Sequence, residues 1–260
     1  MGGALILCIN LQRSPDRRAI MEAEARKAGV NVTFVQAIDG RELTLDKAPG
    51  YDRCGRLKQA PDLKPNEVAC VLSHKLALEA FLESDAPAAV ILEDDAVLSD
   101  RFSQFVNSMM KLPIPWNAVN LENRNRKPLR PALFKFDFGV SLHVSAWSSS
   151  GSTGRLYSRE GAERVLNSLW HFRHPYDTHL GFFWRHGLSP LCSHPPVVSS
   201  RPEIPSTISQ PGEKRLFEEK DLSTAQFLRA RRERIEHEIR KEAGARLELL
   251  RMKAALAVAR

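Results

Sequence analysis

The sequence predicts an α/β fold in which buried strands alternate with helices. Residues 4–9 form a short apolar run, and Ser14 with Pro15 then begins a helical pattern. A second apolar run, residues 89–92, is flanked by helical patterns on both sides. Short apolar runs in this setting are typical of strands in a parallel sheet that is covered on both faces. Ligands of such sheets bind outside the carboxyl ends of the strands, where we look for a functional site.

Composition sets the broad class. The chain has 260 residues, 43% hydrophobic and 27% charged, which is an ordinary globular balance with ample length for a core. Its four cysteines lie far apart and include no CxxC pair, so we interpret them as reduced thiols. Residues 4–9 are too few to span a bilayer and follow no basic segment. We therefore expect a cytoplasmic protein, or one that is attached peripherally to the cytoplasmic face of the inner membrane.

The first predicted helix begins with Ser14 as N-cap and Pro15 at the first helical position, and it ends near residue 28 before Gly29. Arginines cluster where the first strand meets this helix: Arg13, Arg17 and Arg18. A nucleotide diphosphate would find positive charge and helix N–H groups there. Solvated helix charges explain the same cluster equally well.

A second strand is predicted over residues 32–38 and ends at Asp39 and Gly40. An acid at this position suits contact with a ribose, and the same dipeptide is also a strong turn signal. Residues 44–64 are expected to form a loop.

Residues 65–83 predict a helix that is apolar on two sides and therefore buried. This helix carries Ser73 and His74. A histidine in such a helix is more often a hydrogen-bonded core residue than a catalyst.

The apolar run at residues 89–92 leads directly into Glu93, Asp94 and Asp95, and Ser99 is expected to open the next helix. Three adjacent carboxylates repel one another unless a cation lies between them, and hard divalent metals bind such oxygens together with substrate phosphates. The sequence thus indicates a metal–phosphate site. Acids in a turn before a positive helix terminus are the alternative.

Further strands are predicted over residues 116–121 and 139–147, and a helix from Ser158 to about residue 170. Residues 122–138 are basic and irregular and form a candidate acceptor loop, whereas residues 148–151 resemble a flexible linker. Asp177, at a loop-to-helix start, is either a general base or an N-cap. Five histidines match no zinc motif and are expected mostly at the surface, with one able to bind a metal: His171, His174, His179, His186 and His194.

From residue 213 onward the chain is charge-rich and helical, so we divide it into a domain over residues 1–212 and an extension over 213–260. The extension has 13 Lys/Arg against 9 Asp/Glu and thus carries +4 of the net charge of +7. This suggests an anionic membrane surface or an acidic partner, although a solvated helix face has the same composition.

These segments, in this order, resemble glycosyltransferase family 25, which includes bacterial lipooligosaccharide glycosyltransferases and is related to collagen galactosyltransferase domains. The resemblance covers about residues 4–208. The segments that carry it are Ile9-Asn10-Leu11, Arg13-Ser14-Pro15-Asp16-Arg17-Arg18, Ala37-Ile38-Asp39-Gly40, Asn66-Glu67-Val68-Ala69-Cys70-Val71-Leu72-Ser73-His74, Leu92-Glu93-Asp94-Asp95-Ala96, Gly151-Ser152-Thr153-Gly154 and Pro175-Tyr176-Asp177.

The resemblance implies a GT-A-like, Rossmann-like sandwich that acts as an inverting transferase. It implies a UDP-sugar donor, commonly UDP-galactose, with Mn²⁺ or Mg²⁺, and a lipooligosaccharide, lipopolysaccharide or other glycan acceptor. In that scheme Asp95 and Glu93 bind the metal, and Asp177 and Asp94 are catalytic. The donor-binding residues are Asn10, Arg13, Arg18, Asp39, Ser73 and His74.

Three other classes of protein are alternatives to a transferase. A nucleotide-sugar-binding protein without transfer activity would keep the fold and lack a competent acceptor site. A nucleic-acid-binding protein is disfavoured, because the basic residues show no aromatic interleaving and no module signature. A metal-dependent phosphohydrolase would leave the other family-like segments unexplained.

Overall fold

The structure is a computed structural model that describes residues 3–122, 130–146, 151–204 and 224–258. Within these ranges, eight strands form one mixed sheet and two form a separate antiparallel pair. The strands are β1 (Leu5–Asn10), β2 (Thr33–Gln36), β3 (Ala88–Glu93), β4 (Ala96–Leu98), β5 (Ala118–Asn120), β6 (Phe134–Lys135), β7 (Ser141–Val144), β8 (Gly154–Ser158), β9 (Leu191–His194) and β10 (Val198–Ser200).

The large sheet has the order β2-β1-β3-β8-β5-β9-β7-β6, and β4 pairs with β10. Strands β8 and β7 run against the others. Strands β1, β2 and β3 are therefore parallel, and their carboxyl ends meet at one edge. Strand β3 is buried at every residue except Glu93, as its apolar run requires.

The helices and the sheet together confirm the predicted α/β class with a C-terminal helix. Their bounds are α1 (Pro15–Ala28), α2 (Arg53–Leu57), α3 (Pro65–Glu83), α4 (Phe102–Lys111), α5 (Arg159–Ser168), α6 (Tyr176–Leu180), α7 (Phe183–His186) and α8 (Thr224–Val258), with 3-10 turns at Leu45–Lys47 and Leu169–His171.

Two helices agree closely with their local sequence signals. Helix α1 starts at Pro15 and ends at Gly29, whose φ of 65° is left-handed and whose N–H caps the last turn, although the Ser14 side chain makes no capping hydrogen bond. Helix α3 has the predicted bounds and packs between the sheet and α5, which explains its two apolar sides.

The prediction of a helix opening at Ser99 is wrong. Ala96–Leu98 pairs with Val198–Ser200, so the acidic residues lie in a turn between two strands and the helix starts only at Phe102. The alternative of acids before a helix terminus is therefore wrong as well.

Other elements were not predicted. Strand β8 lies between β3 and β5 near the centre of the sheet, β9 lies beyond β5, and α2 falls within the predicted loop of residues 44–64. The strand predicted over residues 139–147 is shorter, and Trp147 lies outside the described residues, as do residues 123–129 of the candidate acceptor loop and the segment 148–150.

Helix α8 packs one face on the rest of the protein. Ala245 and Met252 are fully buried, and the Arg130 guanidinium pairs with Glu242. Residues 213–223 lie outside the described range, and the boundary at residue 212 remains a prediction. None of the helices in the described ranges is both long and apolar enough to cross a membrane.

Candidate active site

A cleft opens at the carboxyl ends of β1 and β3, between α1 and α3. Its walls include most of the residues that the sequence indicated. They are Ile9, Leu11, Arg13, Arg17, Ala37, Ile38, Asp39, Gly40, Asn66, Ala69, Cys70, Ser73, His74, Glu93, Asp94 and Asp95. The topology places it where ligands of such sheets bind.

Asp94 is held by two side chains from the start of the chain. Arg17 Nη1 donates to Asp94 Oδ1 at 2.6 Å, and Asn10 Nδ2 donates to Oδ2 at 2.8 Å. Burial raises the pKa of Asp94, while the Arg17 charge lowers it. Because both oxygens are engaged, Asp94 ties the acidic turn to β1 and to the first turn of α1.

Asp95 has a different environment. Its Oδ1 is buried and has no hydrogen-bond partner among the described residues. Burial and then the nearby Glu93 charge raise its pKa to about 6. An unpartnered buried carboxylate oxygen beside other carboxylates is costly, and a divalent cation would relieve that cost. The donor set therefore fits a hard metal ion.

Glu93 is positioned by the loop before β8 and by α3. Ser152 Oγ donates to Glu93 Oε1 at 2.5 Å, and His74 Nε2 lies 3.2 Å from the same oxygen. The His74 ring is buried and stacks on Tyr176 with 3.9 Å between centroids. His74 thus belongs to the wall of the cleft and also to the core.

Cys70 lies one helical turn before His74. Ligand atoms of Cys70, His74 and Glu93 lie within 4.8 Å of one another and form the one candidate metal-binding group of this kind among the described residues. Burial, followed by the charges of Glu93 and Asp177, raises the pKa of the Cys70 thiol well above its usual value. The thiol is therefore protonated at neutral pH, unlike a metal-bound thiolate.

The opposite wall carries Asp39. Arg41 and Arg13 bind its carboxylate at 2.7 and 2.6 Å and hold its pKa well below the usual range, the Arg41 hydrogen bond contributing most. The neighbouring Gly40 lies against α3, and a Cβ there would come within 2.1 Å of Asn66 Oδ1. Only glycine fits this turn, which fixes Asp39 at the rim of the cleft.

Ser73 lines the cleft but uses its hydroxyl to join backbone segments. Its Oγ accepts from the Ile38 N–H at 2.9 Å and donates to the Ala69 carbonyl at 2.7 Å. Arg18 lies away from the cleft, where it pairs with Glu22 and covers the Phe34 ring at 4.3 Å. The arginine that the structure brings to the acidic turn is Arg17.

Asp177 lies in the first turn of α6, and Pro175 occupies the N-cap position, so the reading of Asp177 as an N-cap is wrong. Its Oδ1 accepts from the Thr178 N–H at 2.6 Å. Because Tyr176 stacks on His74 and the Asp177 charge acts on Cys70, α6 borders the cleft. Asp177 itself is partly open to solvent and is not among the described residues that line the cleft.

Four residues of the site were not selected from the sequence: Arg41, Cys70, Ser152 and Tyr176. Arg17 was indicated only as a member of the arginine cluster. A spacing of four between Cys70 and His74 does indicate one helix face. The contacts of Ser152 and Tyr176 depend on long-range packing and leave no comparable local signal.

The sheet, the acidic turn and the arginine-lined cleft define an α/β protein with a candidate ligand site at the carboxyl ends of its parallel strands. The sequence profile of Glycosyltransferase family 25 (LPS biosynthesis protein) matches residues 4–180. The chain belongs to this family.

The relatives of this chain include a protein named as a galactosyltransferase and a family member named as inactive. The chain is 30% identical over 174 residues to a glycosyltransferase 25 family member of Aedes aegypti, covering 64% of this chain and 28% of the relative. It is 26% identical to the inactive glycosyltransferase 25 family member 3 of Mus musculus (76% and 37% covered) and 24% identical to procollagen galactosyltransferase 2 of Homo sapiens (65% and 28%). The chain thus spans about a third of the length of these relatives.

Proposed function

We propose that the protein is an inverting glycosyltransferase that moves a sugar, galactose in our proposal, from a UDP-sugar to a hydroxyl of a lipooligosaccharide, lipopolysaccharide or other glycan. The observation that carries this proposal is the buried, unpartnered Asp95 oxygen in a cleft that also presents Arg13, Arg17 and Asp39. Family membership supports glycosyl transfer, and the name of the human relative supports galactose.

In the proposed donor complex, Arg13 and Arg17 lie beside the diphosphate, and Asp39 contacts the ribose. Asp94 and Asn10 keep Arg17 in place, while Ser73 and His74 shape the wall. Arg18 was expected at the donor, but its contacts with Glu22 and Phe34 support a role in anchoring α1 instead.

Asp95, with Glu93 beside it, would hold Mn²⁺ or Mg²⁺. When bound, the cation neutralises the charge that develops on the leaving diphosphate. The carboxylate oxygens suit both metals. Cys70, His74 and Glu93 form a second donor set that shares Glu93 with this oxygen set, and a thiol and an imidazole suit a softer metal than Mn²⁺ or Mg²⁺.

The proposed general base is Asp177. Its carboxylate accepts the proton of the acceptor hydroxyl while that oxygen forms a bond to the anomeric carbon. The bond from the anomeric carbon to the diphosphate breaks in the same step, so the configuration inverts and UDP leaves. Asp94, engaged by Arg17 and Asn10, would act by positioning and not by proton transfer.

The C-terminal helix is proposed to hold the protein at an anionic membrane surface on the cytoplasmic side. Its outward face exposes Ile235, Ile239, Leu247 and Leu250, each by more than half, and lysines and arginines outnumber acidic residues along the helix. Ile239→Glu with Leu250→Glu should abolish flotation with phosphatidylglycerol vesicles. Undiminished flotation of this variant would contradict the membrane proposal.

A nucleotide-sugar-binding protein without transfer activity is the alternative, favoured by the inactive murine relative. Calorimetric titration of UDP with and without Mn²⁺ into wild type and Asp95→Ala tests the donor site first. We expect metal-dependent binding that the variant loses, and metal-independent binding would remove the role of Asp95. Transfer from UDP-galactose to a lipooligosaccharide acceptor then separates the enzyme from the binding protein.

A further inference from the structure

A second cleft lies on the far side of α6, between α7, α8 and the segment that follows α2. It has a volume of about 540 Å³, enough for a sugar phosphate. Its walls are Gln59, Ala60, Ser168, His171, Arg173, His174, Thr178, His179, Phe182, Arg185, His186 and His237. Most of these histidines were expected at the surface from the sequence, yet His179 is only 5% exposed, so that prediction is wrong for His179.

The charge of this histidine–arginine cleft is positive. Among the residues that the structure describes, its walls contain two arginines, Arg173 and Arg185, and no carboxylate. Arg173 is paired with Asp52 at 2.6 Å, whereas Arg185 has no carboxylate partner in the part of the chain that the structure describes and lies over the Phe182 ring. Arg56 adds positive charge behind the wall, 3.5 Å from His174 Nδ1.

Burial lowers the pKa values of four histidines of the cleft (His174, His179, His186 and His237), and two of these four have a nitrogen without a hydrogen-bond partner among the described residues. Burial and the nearby Arg56 and Arg185 lower the pKa of His174 to about 4, and burial with His186 lowers that of His179 to about 3. His186 Nε2 and His237 Nδ1 are buried without a partner among the described residues. Such nitrogens become donors once they carry a proton, and a negative group within the cleft would favour that.

A cation fits the histidine–arginine cleft poorly. Two arginines repel a metal ion, and no three of its histidines bring their nitrogens together as Cys70, His74 and Glu93 bring their ligand atoms. An oxyanion in the cleft would instead contact a guanidinium that has no carboxylate partner among the described residues and imidazole nitrogens that have no hydrogen-bond partner there. Arginine also binds phosphate with paired hydrogen bonds.

We propose that the histidine–arginine cleft binds a phosphate-class oxyanion on the acceptor of the transfer reaction. This inference rests on the proposed function, because it assigns the anion to the acceptor. The link is Thr178, which lines the cleft and follows Asp177, the proposed base, directly in α6. An anion here would hold the acceptor beside Asp177 from the side opposite to the donor.

The test is a titration of inorganic phosphate into the full chain, followed by histidine imidazole resonances in ¹H–¹⁵N spectra. Phosphate should shift the signals of His186 and His237 and raise their pKa values. Arg185→Gln should weaken phosphate binding about tenfold. Arg251→Gln, which removes an exposed arginine from α8, should leave binding unchanged. A His237→Gln variant should weaken it as well.

Phosphate takes up a proton of its own between pH 8 and pH 6, so the pH dependence is measured with sulfate, whose charge is constant in this range. Sulfate binding should tighten from pH 8 to pH 6, since the histidines gain protons together with the anion. The charged groups that act on them are Arg56, Arg173, Arg185, Lys241 and Glu238, and none of these changes charge in this range. Equal phosphate affinity in wild type, Arg185→Gln and His237→Gln would overturn the proposal. So would displacement of phosphate by UDP, which would place it in the donor cleft.

A transfer assay separates this inference from the proposed function. With a phosphorylated acceptor, Arg185→Gln should raise KM about tenfold, and with the dephosphorylated acceptor it should leave KM unchanged. The same change in KM with both acceptors would overturn the acceptor assignment. Absence of transfer by wild type to any acceptor, with phosphate still bound in the cleft, would overturn the proposed function and the acceptor assignment but leave the anion site.

Discussion

The Arg17 guanidinium lies 2.6 Å from the carboxylate of Asp94, although 77 residues separate the two in sequence. The pair joins the first turn of α1 to the turn that follows β3. Both side chains are largely removed from solvent, at 16% and 9% exposure. Because Asn10 binds the other oxygen of Asp94, the arginine at the mouth of the cleft has a fixed position.

Replacing Arg17 by Gln should therefore destabilise the protein and weaken UDP binding. Loss of one partner leaves a buried carboxylate without its counter-charge, which costs about 3–5 kcal/mol. Arg18→Gln is a matched control, since Arg18 forms an exposed pair with Glu22 that contributes at most about 1 kcal/mol. Urea unfolding and UDP calorimetry measure both effects. Equal losses in the two variants would contradict the assignment of Arg17 to the site.

Asp95→Asn should stabilise the metal-free protein and should remove the stabilisation that the metal gives to wild type. The pKa of Asp95 is raised to about 6, so the folded protein binds this proton more tightly than the unfolded chain, and ionisation at pH 7 opposes folding. The metal-free variant should be more stable than wild type by up to about 3 kcal/mol.

Mn²⁺ should raise the melting temperature of wild type, because it binds the folded state, and should leave the Asp95→Asn variant unchanged. Differential scanning calorimetry at pH 7 measures both temperatures. A variant that is stabilised by Mn²⁺ as much as wild type would show that the metal binds elsewhere.

Elements whose signals are local in the sequence were predicted, and elements that depend on packing against distant segments were not. Helices α1 and α3 were predicted at both ends because Pro15, Gly29 and Pro65 are local signals. Strand β8 was missed because its sequence, which begins with Gly154 and Arg155, lacks an apolar pattern and because the strand is stabilised by the strands on either side.

The residues of the candidate site could also be predicted only where the signal is local in the sequence. The acidic turn and the arginine cluster were evident from the sequence, but the choice between Arg17 and Arg18 was not. Consecutive helical residues point about 100° apart, and which of them faces the cleft depends on how α1 lies on the sheet. Tertiary packing, through Asp94 on one side and Phe34 on the other, decides that question.

Gly40→Ala should destabilise the protein by about 1–3 kcal/mol and reduce UDP affinity. The added Cβ would come within 2.1 Å of Asn66 Oδ1 and 2.7 Å of backbone atoms of the same residue, so the turn that carries Asp39 must shift. Gly3→Ala is the control, because no atom of the described residues lies within 4 Å of a Cβ there. Denaturant unfolding and UDP titration give the two readouts. Wild-type values for Gly40→Ala would show that this turn does not position Asp39.

Stability should fall between pH 6.5 and pH 4 in a phosphate-free buffer, and His179 should account for part of the slope. Its pKa is lowered to about 3, so the unfolded chain binds the proton more tightly and acid favours unfolding. The loss from this group reaches about 3 kcal/mol at pH 4.

His179→Gln should flatten the pH dependence of the free energy of unfolding, and His194→Gln, at an exposed site, should not. The slope is the decisive quantity, because the His179 variant also disturbs the contact with Ser168 and lowers stability at every pH. Parallel pH curves for wild type and His179→Gln would mean that His179 is protonated or solvated in the folded protein, which would also weaken the case for an anion site in the histidine–arginine cleft.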